Sequence, residues 1–99
     1  MRFAVSVITP PGYVHSQAFS ELAESLHHAL LALGHDSVLS TRTDNRRRRH
    51  IVFGANLLVK RPQPLPEDSI LYNLEQLGAD SPWDTPAYRE LLSRYRVWD

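Results

Sequence analysis

The chain has 99 residues, 42% of them hydrophobic, with 11 Lys+Arg balanced by 11 Asp+Glu and no cysteine. A chain this short buries only about 60–68% of the surface its unfolded form exposes, so residues 1–99 hold one small domain and two are excluded. The missing cysteines exclude disulfides, thiolate zinc sites, iron–sulfur clusters and cysteine nucleophiles; a balanced charge excludes coating of nucleic acid or anionic membrane through a global field. Residues 3–8 are apolar or small almost throughout and rich in β-branched types, the pattern of a central strand covered on both faces rather than of a signal peptide. Pro10, Pro11 and Gly12 stop that strand and open a loop. From Ser16, an N-cap residue type, the apolar positions Phe19, Leu22, Ala23, Leu26, Leu30 and Leu33 keep to one helical face, and Gly34 stands where a left-handed C-cap ends a helix. Residues 37–41 read as a second strand, completing a strand–helix–strand unit.

The segment 42–49 holds five arginines with Asp44 and Asn45 and reads as a solvated connector. Residues 50–58 resume with a third strand ending near Gly54. Prolines 62, 64 and 66 then force an extended crossing without helix, and residues 69–74 read as a fourth strand. Thr85-Pro86 supplies an N-cap followed by proline at the first helical position, and Tyr88, Leu91, Leu92 and Tyr95 continue a helical stripe that is expected to run to the end of the chain. No apolar run is long enough to span a membrane, and a cytoplasmic location is expected. Alternating strands and helices imply a small Rossmann-like α/β domain with a mostly parallel four-stranded sheet and two main helices.

In open parallel sheets ligands bind outside the carboxyl ends of the strands. That rule gathers Thr9, Gly12 and Tyr13, then Asn56, then Asn73, Glu75 and Gln76 on one rim, as candidate ligand-binding residues. The amides of Asn56, Asn73 and Gln76 suit hydroxyl groups, and Glu75 can accept a proton or a sugar hydroxyl. The same polar types also tie down loop backbone at strand ends, which is the plainer role for Asn73 and Glu75.

Arg46, Arg47, Arg48 and Arg49, beside Arg42, are the strongest charged feature. Consecutive guanidiniums bind phosphates bidentately, so a phosphate-bearing partner such as RNA is the functional alternative to a solvated connector. Arginine outnumbers lysine ten to one in this chain and no aromatic is interleaved with the run, so nucleic acid is not the expected partner. His15, His27, His28, His35 and His50 form no metal-ligand pattern, and no metal or cofactor is expected. Ser6, Ser16 and Ser20 lack the glycine-flanked nucleophile elbow, and one glycine in the first loop makes no phosphate cradle. Tyr88, Tyr95 and Trp98 are core or interface anchors; left uncovered they would form an apolar patch for self-association or for a second domain.

The junction Leu33-Gly34-His35 just before the second strand resembles the opening unit of GT-B glycosyltransferases, and Ile51-Val52-Phe53-Gly54-Ala55-Asn56, Leu71-Tyr72-Asn73-Leu74-Glu75 and Tyr95-Arg96-Val97-Trp98 extend the likeness to the N-terminal region of bacterial glycosyltransferase-like proteins. The resemblance implies an acceptor-side half-domain, with the sugar nucleotide held chiefly by a second Rossmann-like domain and the chain continuing past Asp99. It therefore implies a domain that is not catalytic by itself. The readings carried forward are this ligand-binding half-domain, an interaction module docking through residues 46–49, and a transferase assembled in trans with another chain.

Overall fold

The computed structural model describes residues 1–8, 16–73, 82 and 84–98, the side chains of residues 16–18 excepted. The elements run β1 Arg2–Val7, α1 Ser16–Ala32, β2 Asp36–Ser40, β3 Arg49–Phe53, a 3₁₀ turn over Ala55–Val59, β4 Ile70–Tyr72, α2 Pro86–Arg94 and β5 Arg96–Trp98. All strand pairings are parallel, in the order β2-β1-β3-β4-β5. The sheet thus has five strands rather than four. The expected helix to the chain's end stops at Arg94, because Tyr95 turns extended (φ −129°, ψ 164°) and Arg96–Trp98 pairs with Ile70–Tyr72.

Alternation along the strands sorts the core into two layers. Phe3, Val5, Val7, Ile51, Phe53 and Ile70 face α1, which meets them with Phe19, Ala23 and Leu30. The expected helical stripe is narrowed: Leu22 and Leu33 are 48% and 74% exposed, and contact runs instead through Phe19, Ala23, Leu26 and Leu30, spaced four, three and four residues apart. On the opposite face Ile8, Val52 and Leu71 pack against the 3₁₀ turn and α2 through Leu57, Leu58 and Tyr88. Helical cover therefore lies on both sides, the doubly wound arrangement of a Rossmann-like sheet.

Two local devices set this geometry. Helix α1 closes in a Schellman motif, with Gly34 at φ +87°, its N–H donating to Leu31 O, and His35 N–H donating to Leu30 O, each at 3.0 Å. Gly54 (φ +81°) turns the chain sharply out of β3 into the 3₁₀ turn, where a Cβ would stand 3.4 Å from both Ile8 O and a Phe19 ring carbon. Helix α2 starts as its sequence requires: Thr85 Oγ1 accepts from Tyr88 N–H and Pro86 follows the cap. Residues 60–68 hold no helix, as their prolines demand.

Candidate functional site

The strand order reverses direction between β1 and β3: the chain moves one way from β1 to β2, then to the other side for β3, β4 and β5. This is the switch point at which neighbouring loops leave in opposite senses and open a crevice. Ile8 N–H donates to Phe53 O at 3.0 Å, the last rung before β1 and β3 part. Gly54 lies against Ile8 on this rim, and Asn56 follows two residues later.

Of the rim candidates, Thr9, Gly12, Tyr13, Glu75 and Gln76 lie outside the described residues. Asn73 is a structural tie: its N–H donates to Trp98 O at 2.8 Å, and its Oδ1 accepts from the Tyr88 hydroxyl at 2.8 Å. It joins the ends of β4 and β5 to α2. Asn56 is different. The residue is 1% exposed, and its Nδ2 donor has no hydrogen-bond partner among the described residues.

The arginine run does not present one guanidinium surface. Arg48 reaches across the amino end of the sheet, donating to Asp36 Oδ1 at 2.9 Å and Oδ2 at 3.3 Å and to Phe3 O at 3.2 Å. The hydrogen bonds from Arg48, more than its charge, hold the Asp36 carboxyl below the usual carboxylate range against the upward pull of burial, and Arg2, 3.5 Å from Asp36, lowers it further. Arg49 Nε donates to Asp68 O at 2.7 Å, and Arg42 pairs with Asp44 at 2.7 Å. Arg46 and Arg47 are exposed, and among the described residues their side chains form no hydrogen bond or ion pair. The expected patch of five is therefore divided. Arg42 stands past the carboxyl end of β2, whereas residues 46–48 turn into β3 at the opposite end of the sheet.

Sequence reasoning missed the buried polar cluster that carries this connector. Ser6 and His50, both 0% exposed, sit on adjacent strands and point to the face opposite α1. His50 Nδ1 and Ser6 Oγ are 2.7 Å apart, and Ser6 Oγ donates to Arg42 O at 3.0 Å. At the other ring edge Asn45 N–H donates to His50 Nε2 at 3.1 Å. With the Ser6 proton committed to Arg42 O, Nδ1 is the donor toward Ser6, while Nε2 stands 3.1 Å from both the N–H and the carbonyl oxygen of Asn45, so its role there follows the protonation of the ring. Burial pushes the His50 pKa down, so the ring is held neutral, despite opposing pulls from the Asn45 carbonyl and the Asp44 and Asp68 carboxylates. Thr43, also buried, donates to Pro64 O and so ties the connector to the proline segment. Both Ser6 and His50 are sealed from solvent, so the pair anchors a loop and offers no accessible nucleophile.

A second hollow lies beside β1. A cleft of about 440 Å³ opens between α1 and the end of β2, with Val7, Ala23 and Leu39 as its apolar floor and Glu24, Thr41 and Arg42 among its polar walls.

The aromatic trio does not share a surface. Tyr88 is 2% exposed inside the core, and Tyr95 packs beside it on the face opposite α1. Trp98 lies on the other face, edge-on to Tyr72 at 6.4 Å, while Tyr72 stacks on Phe53 at 4.8 Å. Placing Trp98 on β5 rather than on the helix separates it from the two tyrosines. No helix is long and apolar enough to cross a membrane among the described residues, and none of their His, Asp and Glu side chains gather in threes as a metal site would need. No protein-family model, curated protein or solved structure matches the chain.

Proposed function

We propose that this chain is a ligand-binding half-domain, resembling the acceptor side of a GT-B glycosyltransferase and not catalytic alone, that takes a hydroxyl-bearing ligand on the rim where β1 and β3 part. The observation that carries this reading is the Asn56 amide: a buried N–H donor without a partner among the described residues costs about 1–3 kcal/mol, and a ligand oxygen that reaches Nδ2 through a small shift of the 3₁₀ turn relieves it. The reversal of strand order at the same place supports it, since ligands of open parallel sheets bind at such switch points. The transfer reaction implied by the resemblance needs a second unit to hold the sugar nucleotide, so transferase activity is expected only in combination with a partner.

The test is residue-resolved NMR titration with uridine diphosphate glucose. Amide shifts over residues 54–58 are expected, and Asn56→Leu, which removes the unpaired donor while keeping the volume, is expected to abolish them with no loss of stability. A wild-type rim that does not respond, or an Asn56→Leu variant that responds like wild type, refutes the reading.

The interaction-module reading keeps one observation, the two exposed and uncommitted guanidiniums of Arg46 and Arg47. It is distinguished by salt-dependent retention on heparin that Arg46→Ser with Arg47→Ser removes; retention indifferent to salt and to those changes sinks it.

A further inference from the structure

We infer that the cleft between α1 and the end of β2 is a second binding site, for a small hydroxylated primary amine. The inference goes beyond the rim reading and uses none of its residues. The cleft volume, about 440 Å³, falls within the range of small-molecule sites, roughly 300–1,000 Å³. Its composition is that of such a site, an apolar floor with a few convergent polar groups. Leu39, 47% exposed on that floor, is a large apolar side chain left open to solvent inside the hollow.

The charges choose the ligand. Arg42 and Glu24 both line the cleft, but they are not equivalent. The Arg42 guanidinium is already neutralised by Asp44 at 2.7 Å. The Glu24 carboxylate, exposed on α1, has no hydrogen bond or ion pair among the described residues. One uncompensated negative charge therefore faces the hollow, which favours an ammonium and disfavours an anion. The Thr41 hydroxyl and the remaining Arg42 N–H groups suit ligand hydroxyls, and Val7, Ala23 and Leu39 receive a C–H face.

The wall is also held in place. Arg42 N–H donates to Ser40 Oγ at 3.0 Å, and Arg42 O accepts from both Ser40 Oγ at 3.1 Å and Ser6 Oγ at 3.0 Å. The His50–Ser6 pair thus anchors the backbone that presents Thr41 and Arg42 to the cleft. A ligand meets a wall in which the Arg42 peptide groups are already satisfied, which lowers the ordering required on binding.

The experiment is NMR titration of the full chain with three probes of one shape: glucosamine, glucose and glucose 6-phosphate. Shifts centred on Ala23, Glu24 and Leu39 are expected with glucosamine, with glucose weaker by about fivefold and glucose 6-phosphate weakest, the size of one solvent-exposed ion pair. Glu24→Gln, an exposed change that leaves the fold intact, is expected to weaken glucosamine by the same factor and to leave glucose unchanged. No glucosamine response at the cleft, equal binding of glucosamine and glucose, or a Glu24→Gln variant that binds like wild type each overturns the inference. Asn56→Leu leaves cleft binding unchanged, so its failure and that of the rim reading are separable.

Discussion

His50→Ala tests the core of the structural argument, because it removes the ring on which three parts of the chain converge. The ring is 0% exposed and hydrogen-bonds Ser6 at 2.7 Å and the Asn45 backbone at 3.1 Å. Losing two hydrogen bonds costs about 1 kcal/mol each, with Asn45 N–H partly rehydrated because its residue is exposed. The void left in a packed interior adds about 1–2 kcal/mol, so a loss of about 3–4 kcal/mol is expected. A domain of this length has roughly 5–15 kcal/mol to lose, and the midpoint of thermal unfolding falls by roughly 12–30 °C at about 4–8 °C per kcal/mol. Urea unfolding followed by tryptophan fluorescence measures the change. The pH dependence supplies an independent readout. Burial holds the native His50 pKa below its unfolded value of about 6.5. Above that value the ring is neutral in both states, and no stability is lost. As pH falls through it the unfolded chain takes up the proton and the native one does not, so stability declines by up to about 1.4 kcal/mol per pH unit until the native pKa is reached. The other histidines are common to both proteins, so the difference between wild type and His50→Ala isolates this decline. A loss under about 1 kcal/mol, or acid sensitivity unchanged by the substitution, refutes the reasoning.

Gly54→Ala forces a non-glycine residue to φ +81° beside Ile8 O, and a loss of about 1–2 kcal/mol is expected in the same urea assay; Gly34→Ala, with open space around the added methyl, is expected to lose no more than that. Arg48→Ala is expected to lower the melting temperature measurably, since it removes the bonds to Asp36 and to Phe3 O together and leaves Asp36 only its longer pairing with Arg2, whereas Arg46→Ala leaves it unchanged. Equal melting temperatures for the two variants would show that the division of the arginine run has no energetic meaning. Thr85→Ala removes the acceptor for Tyr88 N–H and is expected to cost about 1 kcal/mol, read as lost amide protection over α2 by hydrogen exchange.

Residues whose signals are local were legible in the sequence. The buried runs of β1 and β3, the glycine cap of α1, the proline segment and the Thr85-Pro86 helix start each follow from steric or hydrogen-bonding preferences that act within a few residues. That Asn56 stands just past the end of β3 was legible too, but that its Nδ2 has no partner among the described residues depends on everything packed around it. Strand β5 was not legible. Three residues are too short for a period-2 pattern, and Arg96–Trp98 is a strand only because Ile70–Tyr72 offers its edge. The division of the arginines has the same origin: Arg48 and Arg49 resemble Arg46 and Arg47 in sequence, and differ only because Asp36, Phe3 O and Asp68 O, 12 to 45 residues away, come within reach. Ser6 and His50, 44 residues apart, become one hydrogen-bonded unit only when β1 and β3 pair. The amino-acid sequence by itself thus determined an α/β chain with its turns and caps in place, since propensity and capping are short-range. Tertiary structure alone decided the fifth strand, the anchored connector and which charges remain available, since each depends on partners that only folding brings into contact.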